Sequence, residues 1–444
     1  MDEGRPPSWN RLLETMDTLS RLSAGELTGS TRLDLRCGLT EFPREIFALA
    51  DTLEILDLSG NRLSSLPGDF AQLRRLKILF CSDNEFRHLP AVVGECPALE
   101  MVGFKANRIE TVDAAAFPPL LRWLILTDNR IAALPGSIGR CGRLQKLMLA
   151  GNQLEQLPDE MAACVNLELI RLSANRFREF PEWLFEMPRL AWLALAGNPW
   201  LEISCREEMK EIAWSDLELD ELLGEGASGV IHRARWQEQS VAVKLFKGAM
   251  TSDGLPEQEM AASVAAGSHP NLVGVLGKIS HHPDGRNGLV MPLVDPGFLI
   301  LAAPPNFDSC TRDVYAADLQ FGLAEVLKKL LALASAAQHL HERGIAHGDF
   351  YAHNILRNAA GDCLLGDFGA ASFYPPEVDL ERIEVRAFGC LLEELLTRGD
   401  FEAADQEAVE SLWELQGRCV AEVVRDRPGF AVISEGLGEI GLKS

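Results

Sequence analysis

His347-Gly348-Asp349-Phe350-Tyr351-Ala352-His353-Asn354-Ile355-Leu356, with Asp367-Phe368-Gly369 following eleven residues after Leu356, decides how the rest of this chain is read. It holds a carboxylate at Asp349, an amide at Asn354 and a second carboxylate at Asp367. Magnesium takes hard oxygen ligands in octahedral geometry, usually one or two from protein and the rest from water and phosphate. Asp367 and Asn354 fit that need, which leaves Asp349 to accept the proton of an attacking hydroxyl or to aim it.

Upstream, Gly224-Glu-Gly226-Ala-Ser-Gly229-Val-Ile231 lies between two strand-like runs and suits a hairpin whose backbone approaches phosphates closely. Val241-Ala242-Val243-Lys244 is an alternating strand that presents one lysine. Lys244 needs an acidic partner, and Glu259 or Glu257 can serve, both ahead of His269-Pro270-Asn271. These elements, in this order over roughly residues 216–440, resemble the protein kinase superfamily. The resemblance implies a two-lobed α+β domain that binds ATP and Mg2+. Lys244, Asp349 and Asn354 would be catalytic, and Asn354 and Asp367 the metal ligands. Gly224, Gly226, Gly229, Lys244 and Glu259 would hold the phosphates, together with Asp367. Ile231, Ala242 and Leu356 would sandwich adenine, with Met291 behind it and the backbone of Pro292 and Val294 along its edge.

The departures carry information too. Gly348 stands where the family usually has Arg, so the loop lacks the cation that docks a phosphorylated activation segment, and activation by phosphorylation is not expected. Tyr351 and His353 match neither the serine/threonine nor the tyrosine marker. After Gly369 the next helix is expected at Glu384, which leaves a short segment in which Pro375-Pro376-Glu377, partnered by Arg427, is the remnant of a substrate-cradling motif.

The N-terminal half repeats. Asn61, Asn84, Asn107, Asn129, Asn152, Asn175 and Asn198 recur at steps of 22 or 23, each closing a Leu-rich strand pattern. That period is the signature of an α/β leucine-rich-repeat solenoid of about eight turns. An earlier turn keeps Leu33 and Leu35 but has Gly38 at the Asn position, as suits a terminal repeat. Cys96, Cys141 and Cys164 keep the same register and read as core fillers. Residues six and four before each Asn flank the inward leucines and are expected to point out of the strand. Their columns include Phe80, Met101, Trp123, Ile125 and Met148, an apolar concave patch. A protein partner and packing against another part of the chain both remain open as its purpose.

The expected organisation is an amphipathic cap in residues 1–30 with a helix over Ser8–Leu22, a solenoid over 31–200, a connector over 201–215 with a helical stretch Arg206–Glu211, and a kinase-like domain over 216–444. A net charge of -23 argues against a nucleic-acid surface. No apolar run is long enough for a membrane span, and the cysteines show no paired or metal-ligand spacing, so a cytoplasmic setting is expected. Three functions follow: a protein kinase, most naturally serine/threonine-directed, whose repeats bind a protein; a small-molecule phosphotransferase of the aminoglycoside or choline kinase kind; or a nucleotide-binding scaffold whose repeat face is the working element.

Overall fold

A computed structural model describes residues 18–200 and 210–442, apart from 227, 249 and 252. Two compact units divide the chain. One comprises residues up to Leu184 with Asn198–Trp200, the other Phe185–Gly197 with the residues from Leu201 onward. Of the helix expected over Ser8–Leu22, residues 18–22 are described and helical and Leu22 is buried, while the rest lies outside the described residues.

In the first unit, strands β1 (Arg32–Asp34), β2 (Ile55–Asp57), β3 (Ile78–Phe80), β4 (Met101–Gly103), β5 (Trp123–Ile125), β6 (Lys146–Met148) and β7 (Leu169–Arg171) pair in parallel, each with the next. The central leucine, valine or isoleucine of each strand is buried, so successive turns share one apolar core. The convex side is made of 3-10 turns, four of them opening on a proline (Pro43, Pro90, Pro135, Pro158), whose fixed φ suits the entry.

The repeated Asn holds adjacent turns together. The Asn129 amide oxygen accepts from Ile109 N at 2.9 Å, and its Nδ2 donates to the carbonyls of Phe104 at 2.9 Å and Leu126 at 3.0 Å. Buried backbone groups where the chain leaves its strand are satisfied this way. The residue before each Asn has positive φ: Gly60, Asp83, Ala106, Asp128, Gly151, Ala174 and Gly197. Ala106 and Ala174 adopt that strained conformation without the freedom of glycine, because the ladder over-determines it.

The concave columns are less open than the alternation implied. Ile78 and Met101 are buried, while Phe80, Trp123, Ile125 and Met148 are half-buried. Neighbouring strands lie about 4.8 Å apart, so large side chains lie down over small neighbours instead of standing free. The Phe80 ring covers Gly103 so closely that a Cβ there would come within 2.7 Å of it, and the Lys146 ammonium sits 4.2 Å from the centroid of the Trp123 ring. Cys96, Cys141 and Cys164 are buried, and burial pushes their thiols up to about 12, 12 and 11.

The second unit begins with strand β8 (Trp192–Ala194), which has the repeat spacing in sequence. Its six-stranded sheet has the order β9 (Glu211–Ala213), β13 (Gly277–Ser280), β14 (Gly288–Pro292), β12 (Gln239–Phe246), β11 (Gly229–Trp236), β10 (Glu218–Glu225). Of the helical stretch expected over Arg206–Glu211, residues 206–209 lie outside the described residues, and at Glu211 the expectation is corrected. Glu211 opens an edge strand that runs parallel to β13, because Ile212 is buried in the sheet's apolar core with Trp236, Val243 and Val290. Residues 201–209 lie outside the described residues.

Helix α1 (Pro256–Ala265) packs Met260 against Phe246 and Leu289. Beyond the sheet come α2 (Leu323–His341), β15 (Leu299–Ile300) with β17 (Ile355–Arg357) and β18 (Cys363–Leu365), and the short pair β16 (Ile345–Ala346) and β19 (Ser372–Phe373). Helices α3 (Leu380–Leu396), α4 (Gln406–Cys419) and α5 (Phe430–Gly441) complete it. Helix α3 begins earlier than Glu384, since the Asp379 side chain caps it by accepting from Arg382 N. The expected pairing of Glu377 with Arg427 is also corrected. Glu377 is exposed, while the buried Arg427 guanidinium donates to the carbonyls of Ala421, Arg382 and Pro188 at 2.8–2.9 Å. Burial lowers its pKa to about 10, and carbonyl dipoles rather than a carboxylate stabilise it.

Candidate active site

The glycine-rich hairpin is formed by β10 and β11, with Gly224 opposite Ile231 and Gly226 N donating to Gly229 O across the turn. A Cβ at Gly229 would meet Leu245 O at 2.6 Å, so that glycine serves the sheet itself, whereas Gly224 and Gly226 face open space. Lys244 on β12 stands opposite Ile231 on one side and Leu289 on the other, and Ala242 stands opposite Met291. Met291 and Pro292 end β14, Val294 follows, and Leu356 lies on β17.

Lys244 Nζ is hydrogen-bonded to Glu259 Oε1 on α1 and lies 3.7 Å from Asp367 Oδ1. Glu257, two residues earlier, is turned away to accept from Asn287 Nδ2 at 2.7 Å. Burial disfavours charge on Lys244, yet Asp367 and Glu259 together outweigh it and raise its pKa above the ordinary lysine value. The ammonium thus stays charged beside Asp367 and Glu259, and burial, opposed by Lys244, pushes the Glu259 carboxyl up to about 7. Asp367 has φ +58 and its carboxylate is 49 % exposed, a strained backbone that aims an acid outward.

In the loop before it, Asn354 Nδ2 donates to Asp349 O at 2.9 Å and to Asp349 Oδ2 at 2.7 Å. That leaves the Asn354 amide oxygen as the free end and fixes the Asp349 carboxylate. Glu384 on α3, fully buried, receives Gly348 N on Oε1 at 2.7 Å and both His347 N, at 3.1 Å, and His341 Nε2, at 2.8 Å, on Oε2. Burial works against its charge, but these hydrogen bonds and the neighbouring histidines hold its pKa below the usual carboxylate value. His353 is anchored on Asp313, with Nδ1 to Oδ1 at 2.7 Å and its backbone N to Oδ2 at 3.0 Å, and its Nε2 lies 3.9 Å from Asp349 Oδ2. Burial opposes protonation of His353, and the hydrogen bond to Asp313 with the charges of Asp349, Asp313 and Asp367 raises its pKa nonetheless.

The sequence had singled out the five polar positions but not their supports, Asp313 and Glu384. Nothing in the spacing of Asp313 marks it. Glu384 was visible only as part of the following helix. The five concave-face residues belong to the other unit.

Residues 217–384 match the family of protein tyrosine and serine/threonine kinases, and residues 52–73 and 142–199 match leucine-rich repeats. The chain therefore carries leucine-rich repeats and a protein-kinase domain. Ephrin type-B receptor 4 of Homo sapiens is 30% identical over 174 residues, 38% of this chain and 16% of that protein. A probable serine/threonine-protein kinase of Dictyostelium discoideum is 28% identical over 162 residues, covering 36% of this chain and 9% of that one. Serine/threonine-protein kinase A-Raf of Mus musculus is 28% identical over 164 residues, covering 36% and 25%. The chain thus spans a quarter or less of the length of these relatives. Among the described residues, no helix is long and apolar enough to cross a membrane.

The residues present fit a nucleotide and a divalent cation. No group of three or more His, Cys, Asp or Glu that could hold a metal occurs among the described residues. Asp367 and Asn354 offer one carboxylate and one amide oxygen, a donor set that suits Mg2+ shared with phosphate oxygens. The open space over Gly224 and Gly226 admits phosphates against bare backbone.

Proposed function

We propose that this chain is an ATP-dependent protein kinase, serine/threonine-directed and cytoplasmic, whose leucine-rich repeats bind a protein partner or substrate through the concave face. The observation that carries this reading is the Lys244 ammonium held between Glu259 and Asp367, with Asp349 fixed by Asn354. Phosphoryl transfer needs little covalent chemistry from the protein. It needs a charged site that positions the nucleotide and an acceptor hydroxyl. Lys244 would bind phosphate oxygens, and Glu259 keeps it from collapsing onto Asp367. Asp349 would orient the acceptor hydroxyl and take its proton. Mg2+, held by Asp367 and Asn354, would neutralise charge on the phosphates. The half-buried Phe80, Trp123, Ile125 and Met148 are the concave side chains left to meet a partner, and Met101 would contribute by supporting them.

The test is transfer from labelled ATP with magnesium to a generic protein acceptor and, in parallel, to a panel of amino alcohols. Lys244→Met and Asp367→Asn should each reduce labelling at least about a hundredfold, the usual cost of removing one preorganised charged group. The label should sit on serine or threonine. Labelling of the amino alcohols alone, or undiminished transfer in both variants, would overturn the reading.

A further inference from the structure

Strand β8 has the spacing of a repeat strand but lies in the compact unit that holds the kinase site. Its bonds there are many for so short a segment. The Trp192 indole N–H donates to Phe350 O at 3.2 Å, and its ring stacks on Tyr351 with centroids 4.1 Å apart and planes 7° from parallel. Leu195 N donates to Ser372 Oγ at 2.8 Å, in the segment that follows Gly369. Just before the strand, Arg189 O accepts from Arg386 Nε at 3.1 Å and Pro188 O from Arg427 Nη2 at 2.8 Å. Trp192 is 1 % exposed.

Gly348 explains why the strand fits. It has φ +72, and a Cβ there would lie 2.5 Å from Ala370 O and 2.7 Å from Leu193 O. No side chain can stand between the loop and the strand at that point. The position that lacks the expected arginine is a notch occupied by the backbone of Leu193.

Resting on the phosphoryl-transfer reading above, we infer that β8 is a built-in brace of the catalytic loop, with Trp192 a positioning residue for Asp349 and Gly348 the notch that admits it. Phe350 and Tyr351 directly follow Asp349, so holding their backbone and ring fixes the carboxylate's approach. The path continues from Tyr351 to the His353 ring, 5.0 Å away, and through it to Asp313. Through Ser372 the same strand holds the segment after Gly369. That is the ordering a phosphorylated residue pairing with a loop arginine would otherwise supply. The brace leaves the site open, for Asp349 and Asp367 keep 18 % and 49 % of their side-chain surface.

The test uses the full chain and two readouts. In Trp192→Ala, amide exchange over residues 349–354 should accelerate at least about tenfold while that of 241–246 is unchanged, as expected for a local loss of protection. Its kcat should fall about ten- to hundredfold, the scale of a misplaced catalytic group, with KM for ATP unmoved because the nucleotide is gripped from β12 and α1. Trp192→Phe keeps the stack and should recover kcat to within about fivefold of the native chain, the worth of one hydrogen bond. It carries both readouts if the alanine variant does not fold. Gly348→Ala should reproduce the loosening. Unchanged exchange and kcat in Trp192→Ala would overturn the brace, and a rise in kcat would overturn it in favour of a plug. A native chain that transfers no phosphate would fail the kinase reading alone, because the exchange arm still decides whether β8 holds the loop.

Discussion

Glu384→Gln removes a charge that the loop before Asp349 depends on, and its size can be worked from the bonds. The carboxylate takes Gly348 N at 2.7 Å on one oxygen and His347 N and His341 Nε2 on the other. Glutamine keeps one oxygen. If that oxygen stays with the two histidine donors, the new NH2 faces the N–H of Gly348, and two buried donors are left opposed. A hydrogen bond to a charged group is worth about 1.5–3 kcal/mol, so the loss at Gly348 is about 3 kcal/mol. Native-state hydrogen exchange reads this directly, since 3 kcal/mol is roughly a hundredfold faster exchange of the Gly348 amide if local opening controls it. The pH dependence carries its own sign. The folded pKa of Glu384 is depressed, so its contribution is full above the ordinary value of 4.5 and is lost as pH falls through the lower folded value. Protection of Gly348 in the native chain should hold at pH 5–8 and fall away below roughly pH 4, whereas the glutamine variant should show no such step. Equal protection in the two proteins at neutral pH would refute the argument that this carboxylate holds the loop.

Two further outcomes test other parts of the molecule. Glu394, half-buried and hydrogen-bonded by Tyr315 OH at 2.9 Å, has its pKa pushed up to about 7, chiefly by desolvation and then by the charge of Asp313. A raised carboxyl binds its proton more tightly folded than unfolded, so stability falls as pH rises from 4.5 to 7; Glu394→Gln should match the native chain in urea unfolding near pH 5 and exceed it by up to about 3 kcal/mol at pH 8. Asn129→Ala strands Ile109 N, while the carbonyls of Phe104 and Leu126 keep their second donors, Asn107 Nδ2 at 3.2 Å and Asn152 Nδ2 at 2.9 Å; it should lower the stability of the repeat unit by about 1–3 kcal/mol, seen as an earlier unfolding transition with the kinase site's exchange unchanged.

What could be read in advance divides by sequence distance. The Asn period and the Leu strands are local, and so are the spacings that join Asp349 to Asn354 and place Asp367 after them. The choice between Glu259 and Glu257 was not local, since two positions on one helix turn point different ways and only the register of α1 against β12 decides between them. Ala106 and Ala174 concealed their positive φ because that conformation is imposed by the ladder, not by the residue. The concave columns were legible in direction only, as alternation does not say whether Phe80 will lie over Gly103. Asp313, Glu384 and Trp192 reach the loop from 40, 36 and 158 residues away, through pairings that no periodicity encodes. Gly348 was legible as a departure, and its purpose became visible only with Leu193 beside it.

Arg427 bonds Pro188 across 239 residues of chain, and Leu195 reaches Ser372 across 177. During synthesis the strand bearing Trp192 leaves the ribosome long before either distant partner exists. At a few to twenty residues per second, that interval is about ten seconds or more. Throughout it a large indole and a row of unpaired backbone groups stand exposed, the kind of edge on which nascent chains associate wrongly. The closing contacts are also those with the longest loops, so β8 should settle into its unit only when the C-terminal helices arrive. A gene cut between residues 200 and 201 to express the catalytic half alone would follow the repeat boundary and still remove part of the domain it meant to isolate.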